Sequence, residues 1–310
     1  MSIIEVKNLT KSYGSFKAVD NISFEVGSGE IVGFLGPNGA GKTTTLRIVT
    51  GYFPPTVGTC KIMGFDIEKD PIPAKTKTGY IPENNPLYSE MKIMEYLAFI
   101  GQLRKVDKLN DRIKEVVAIC GLKSVISKAI GELSKGYKQR VGLAQAIIHN
   151  PEILIMDEPT EGLDPNQIVE VRELIKTLGE KKTVIISTHR LSEVEATCKR
   201  VIIINRGKII ADAPKDEMHK LAAGKTIVEL ELKAPKDKAM AAIKEMAGVK
   251  NVKATSSQGE TTQYEIETDP TIDMKETIFK TCVSNNWVIV GLQQKTASLE
   301  DIFRELTKEN

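Results

Sequence analysis

The run Gly36-Pro-Asn-Gly-Ala-Gly41-Lys42-Thr43 fits G-x-x-x-x-G-K-[ST] in full, and few sequence features constrain a fold so strongly. The β-rich run Ile31 to Leu35 precedes it, and an apolar-patterned stretch with Leu46, Ile48 and Val49 follows. The implied order is strand, glycine loop, helix. Glycines let successive backbone N–H groups turn inward, and the helix N-terminus adds partial positive charge, so the loop supplies the converging donors that phosphate oxygens need. Gly36, Asn38, Gly39, Ala40, Gly41 and Thr44 are the expected cradle. Lys42 is expected to reach β and γ phosphates, and Thr43 to place its hydroxyl on Mg²⁺, which prefers oxygen ligands.

At 310 residues the chain is long enough for about two domains, each with its own core. Lys and Arg number 43 against 41 Asp and Glu, and neither part of the chain carries a strong basic excess, so nucleic acid is not an expected partner. Cys60, Cys120, Cys198 and Cys282 lie far apart and form no metal-ligand spacing, which suggests a reducing, cytosolic setting. Glu5 falls where a signal peptide needs its apolar core, and no run of about 18 apolar residues occurs, so the chain is not expected to span a membrane.

Ile3 to Val6 and Ile22 to Val26 read as further strands ahead of the glycine loop. From about residue 87 to 150 the pattern turns helical, with Ile113, Val116, Val117 and Cys120 on one stripe. Strands resume at Ile153 to Met156, Thr183 to Ser187 and Val201 to Ile204. Between the first two lies a helix that Asp164 caps and Pro165 opens. This alternation predicts a mainly parallel α/β sheet with a helical insert over residues 1–222. Residues 223–310 predict a small α+β unit of βαββαβ type: Val228, Leu230 and Leu232 alternate with glutamates, as do Tyr264 and Ile266. Helices are expected over Pro235 to Ala247 and Ile272 to Asn285, then a strand over Trp287 to Leu292. A last helix is expected from Ser298, with Leu299, Ile302, Phe303 and Leu306 as its stripe.

The apolar strand Ile153-Leu-Ile-Met ends in Asp157-Glu158. With a glycine loop upstream, Asp157 is the natural carboxylate for the Mg²⁺ hydration shell, and Glu158 can accept a proton from attacking water. His189 follows the strand Thr183 to Ser187 at the end where open α/β sheets place ligands.

Leu133-Ser134-Lys135-Gly136-Tyr137-Lys138-Gln139-Arg140 resembles the signature motif of ABC transporter ATPases, Asp157 to Asp164 their Walker B and D-loop, and Ser187-Thr188-His189 their switch histidine. The resemblance covers about residues 2 to 220. It implies a P-loop NTPase core with a helical subdomain, an ATPase that binds ATP and Mg²⁺, and two copies facing head to tail. Ser134 and Gly136 would then contact the γ phosphate held by the other copy. Lys42, Glu158 and His189 would carry catalysis. Tyr13 matches the aromatic that stacks on adenine in that family, or else is a packed turn residue. Two departures stand out: Lys135 and Tyr137 replace glycine and glutamine in the signature, and Glu83 replaces the Q-loop glutamine, keeping metal contact through water but not amide donation.

The wording Gly79-Tyr-Ile-Pro-Glu-Asn-Asn-Pro-Leu-Tyr88 and the ending Leu299 to Thr307 are similar to the exporter branch whose ATPase and permease are separate chains, including subunits named for gliding motility. That implies an integral membrane permease as partner, a homodimer closing on ATP, and a cytoplasmic place against the inner face of the cell membrane. Tyr88, Met91, Met94 and Tyr96 either line a groove for a permease helix or pack as core. A soluble ABC-type regulator with no membrane partner is the alternative, though such relatives usually join two ATPase modules or insert a long coiled coil.

Overall fold

The computed structural model describes residues 2–218, 226–269, 272–296 and 303. Two compact units divide the chain, Met1–Lys215 and Asp216–Asn310.

In the first unit the strands are β1 (Ser2–Tyr13), β2 (Phe16–Gly27), β3 (Ile31–Leu35), β4 (Val57–Ile62), β5 (Phe65–Asp66), β6 (Thr78–Ile81), β7 (Ile153–Asp157), β8 (Thr183–Thr188), β9 (Arg200–Asn205) and β10 (Lys208–Pro214). The helices are α1 (Lys42–Val49), α2 (Pro71–Thr76), α3 (Ile93–Leu103), α4 (Leu109–Ile119), α5 (Lys135–Ile147), α6 (Pro165–Gly179) and α7 (Leu191–Thr197). Six strands form one sheet in the order β10-β9-β3-β8-β7-β6, all parallel except β10. β3, β7 and β8 are buried along their whole length, as strands covered on both faces must be. Their C-terminal ends lead into the glycine loop, Glu158 and His189.

The expected parallel sheet is therefore present, but β1 and β2 do not join it. They run twelve residues each and pair with β4 and β5 in a separate antiparallel sheet, β2-β1-β4-β5. Register shifts break their alternation, and Asn8 and Asn21 adopt φ of 48° and 53° inside them. Such bulges hide a period of two from the sequence. Helix α1 packs with both sheets in one core that includes Ile4, Leu9, Phe34, Leu46, Ile48 and Ile155. Burying each such side chain is worth about 1.5–3 kcal/mol, so the loop ahead of α1 rests on a rigid base.

The insert holds α3, α4 and α5, and Ile113, Val116, Val117 and Cys120 are all buried as the stripe requires. Asp164 caps α6, its Oδ1 accepting from Gln167 N–H at 3.0 Å, with Pro165 in the first turn. Burial pushes the thiols of Cys60, Cys120 and Cys198 up to about 12, which leaves them unreactive.

The second unit runs β11 (Thr226–Lys233), α8 (Lys236–Lys244), β12 (Val249–Gln258), β13 (Thr261–Thr268), α9 (Met274–Ser284) and β14 (Val288–Thr296), the βαββαβ order expected. Its sheet is antiparallel throughout, β12-β13-β11-β14. Val228, Leu230, Tyr264 and Ile266 form its core with Ile243 and Ile278 from the helices. Helix α9 begins two residues later than expected because Asp273 caps it, accepting from Lys275 N–H at 3.0 Å. The last helix expected from Ser298 lies outside the described residues, Phe303 excepted.

Candidate active site at the ends of the parallel strands

The glycine loop turns sharply at the end of β3. Gly41 has φ +106°, and a Cβ there would stand 2.5 Å from the Ala18 carbonyl; at Gly36 a Cβ would stand 2.4 Å from the Ile204 carbonyl. Only residues without a side chain let the loop lie against β2 and β9. The first N–H groups of α1 have no intrahelical acceptor. Lys42 is 6% exposed, and its ammonium donates to the carbonyls of Gly36 at 2.7 Å and Pro37 at 3.2 Å.

β7 delivers the two carboxylates. Asp157 is fully buried, and its Oδ1 accepts from Thr43 Oγ1 at 3.1 Å and Ser187 Oγ at 2.5 Å. Its Oδ2 is buried with no hydrogen-bond partner among the described residues. A buried carboxylate oxygen left unpaired beside a threonine hydroxyl suits the oxygen-ligand shell of a hydrated divalent cation. Glu158 stands in the left-handed region, φ 48°, with its N–H held by Ser187 Oγ and Ser187 O, both at 3.1 Å. That turn aims its side chain at Lys42, 3.3 Å away, and at His189, whose Nδ1 lies 3.0 Å from Glu158 Oε2. A carboxylate only accepts, so His189 donates from Nδ1. Glu161 completes the group, its Oε2 3.9 Å from His189 Nε2.

Lys42, Thr43, Glu158, Glu161 and His189 line a cleft of about 500 Å³. Of the residues expected from the sequence, the structure places Tyr13, Asn38, Gly39, Ala40, Gly41, Lys42, Thr43, Thr44, Glu83, Glu158 and His189 on its walls. Asp157 is not on the walls but accepts from the wall residue Thr43, and Gly36 begins the loop. Tyr13 is 51% exposed, meets Phe53 edge-on at 6.4 Å and has the Lys11 ammonium 5.7 Å from its ring centre. Ser134 and Gly136 are not among the lining residues. They start α5, where the Ser134 side chain accepts from Tyr137 N–H at 3.5 Å and a Cβ on Gly136 would press on Gln167.

Three wall residues escaped sequence reasoning: Phe16, Ala18 and Glu161. Phe16 is a second aromatic beside Gly14, so the pair flanking one turn was a readable signal. Glu161 lies three residues past Glu158, inside the stretch Asp157 to Asp164. Ala18 acts through its backbone and carries no signal of its own. The aromatic cluster of the insert divides: Tyr96 is buried with its hydroxyl donating to Gln145, whereas Tyr88, Met91 and Phe99 line an open apolar groove of about 450 Å³.

A glycine loop between strand and helix, a lysine in it, and an acidic strand end beside it define a P-loop NTPase. The "ABC transporter" family model matches residues 19–161, and an "AAA domain" model matches residues 129–195. The bacitracin transport ATP-binding protein BcrA of Bacillus licheniformis is 42% identical over 221 residues, 71% of this chain and 72% of its own. Over nearly the full length, YxlF, an uncharacterised ABC transporter ATP-binding protein of Bacillus subtilis, is 35% identical, covering 97% and 98% of the two chains. The linearmycin resistance ATP-binding protein LnrL of the same species is 32% identical over 98% of each. Among solved structures, an ATP-binding subunit of an ABC transporter superposes with TM-score 0.65 at 29% identity, covering 71% of this chain and 93% of that one. A dimeric bacterial ABC transporter cassette gives 0.60 at 26% identity, covering 68% and 98%. The chain belongs to the ATP-binding subunits of ABC transporters. It is an ABC-type ATPase, and the likeness favours a transporter subunit over a stand-alone regulator. Among the described residues no helix is long and apolar enough to cross a membrane.

Proposed function

We propose that this subunit powers export through a separate integral membrane permease, hydrolysing ATP at two composite sites of a homodimer. The observation that carries the catalytic part is the meeting of Lys42, Thr43, Asp157, Glu158 and His189 at one cleft, though they come from three strand ends. The loop N–H groups and Lys42 hold the β and γ phosphates, Lys42 exchanging carbonyl contacts for phosphate oxygens. Tyr13 stacks on adenine, its half-exposed ring suiting a base. Thr43, Asp157 and, through water, Glu83 hold Mg²⁺, which when bound draws charge from the phosphoryl oxygens. Glu158 accepts a proton from water as the water oxygen bonds to γ-phosphorus and the bond to the β–γ bridging oxygen breaks, leaving ADP and phosphate. His189 holds Glu158 in line through its 3.0 Å contact. Ser134 and Gly136 of the second copy cover the γ phosphate, which accounts for their place outside this chain's own cleft.

Relatives named for bacitracin transport and linearmycin resistance support the export reading. The groove at Tyr88, Met91 and Phe99 is the proposed seat of a permease helix, which would hold the subunit at the inner face of the cell membrane. The proposed division is an ATP-binding domain over residues 1–222 and an accessory domain over 223–310.

Glu158→Gln is the direct test. It should leave the Kd for ATP within about threefold and lower turnover by about a hundredfold or more. Hydrolysis at the wild-type rate would remove Glu158 from the chemistry. Affinity purification of tagged chain from gently solubilised membranes tests the partner: a polytopic membrane protein should return in stoichiometric amount, and its absence would sink the permease assignment.

A further inference from the structure

We propose that Glu193 is a positioning residue for hydrolysis, its carboxylate tying the loop that carries Glu158 to the strand end that carries His189. The inference rests on the reading of Glu158 and His189 given above. Glu193 stands in the first turn of α7 and is 5% exposed, outside the cleft wall. A carboxylate is costly to bury unless its lone pairs are used, and here both oxygens are. Thr160 Oγ1 donates to Oε1, and Thr188 Oγ1 donates to Oε2 at 2.8 Å.

The donors are what give this pairing consequence. Thr160 lies two residues past Glu158, and Thr188 immediately precedes His189. Thr188 Oγ1 also accepts from Arg190 N–H at 3.0 Å, and its carbonyl accepts from Gly36 N–H at 3.4 Å, so the same strand end touches the start of the glycine loop. Arg190 stands 3.8 Å from Glu193 with one arm and donates to Glu161 at 3.3 Å with the other. One buried acceptor thus holds two loops that meet again, through Glu158 and His189, at the reacting end of the cleft. A packing role would need only an apolar side chain of similar size. An acceptor with two oxygens is needed to fix two hydroxyls from two loops in one register.

The test uses the full chain in steady-state ATPase assays with parallel equilibrium ATP binding. Thr160→Val and Glu193→Gln should each lower kcat by about tenfold while KM and the Kd for ATP stay within about twofold, because a misplaced reacting group costs rate and not affinity. Thr160→Ser keeps the hydroxyl and should restore most of the rate. The double variant Thr160→Val with Glu193→Gln should be no slower than the slower single, since both cut one link. Wild-type kcat in both singles would overturn the proposal. So would kcat and ATP affinity falling together, or full additivity in the double. Glu158→Gln keeps the two readings apart: if it still turns over at the wild-type rate, the catalytic assignment itself fails, whereas a dead Glu158→Gln beside normal Thr160→Val and Glu193→Gln removes only the role of Glu193.

Discussion

Two residues at the site sit under opposite backbone demands. Glu158 has a Cβ yet stands at φ 48°, a conformation that costs on the order of 1 kcal/mol and persists because Ser187 grips its N–H twice. The turn is what points one carboxylate at both Lys42 and His189. Gly36 has no Cβ, and a single added carbon would meet the Ile204 carbonyl at 2.4 Å, an atom of the β9 backbone that cannot rotate away. Gly36→Ala should therefore displace the loop, lowering stability by about 1–3 kcal/mol and weakening ATP at least tenfold. Titration with a fluorescent ATP analogue and urea denaturation would measure both. Unchanged affinity would mean that the loop can shift off β9 without losing its donors.

Between elements, the end of α5 is joined to β6 by His149, whose Nε2 lies 3.2 Å from the Thr78 carbonyl. Burial, and then the nearby Arg104 guanidinium, push its pKa down from the ordinary 6.5 to about 4. The unfolded chain thus binds this proton more readily than the folded one between about pH 6.5 and 4. Stability from this residue is complete above that window and falls as pH drops through it. At pH 5 the loss should be about 1–2 kcal/mol relative to pH 7.5, after allowance for solvent screening at a half-buried site. Urea midpoints for wild type and His149→Asn at both pH values isolate the contribution: the variant should lose less than wild type. Equal losses would place the acid sensitivity elsewhere.

Across the whole molecule, each compact unit has its own core, one around Leu46, Phe34 and Ile155, the other around Leu230, Tyr264 and Ile278. Calorimetry of the full chain should accordingly resolve two transitions. ATP at about a hundred times its Kd should stabilise the transition of the unit that holds the cleft by about 2.7 kcal/mol and leave the other in place. Ile278→Ala should do the reverse, lowering only the second unit's transition by about 2–5 kcal/mol. A single transition that moves with either perturbation would show that the units unfold together.

What the sequence determined by itself was everything encoded within about one turn or one strand. The glycine loop, the buried runs of β3, β7 and β8, the insert stripe through Ile113 and Cys120, the Asp164 cap and the βαββαβ order all rest on neighbours in the chain, so their residues announce them. What only the tertiary structure decided was who meets whom across long separations. Sequence could rank Glu158 and His189 as candidates, but not bring an imidazole to 3.0 Å from a carboxylate 31 positions away. Nor could it assign β1 and β2 to a second sheet, since bulges erase the alternation that would reveal their pairing. Ala18 and Glu193 matter through contacts with distant segments, and such contacts exist only once the core of the first unit has closed and set the strand ends side by side.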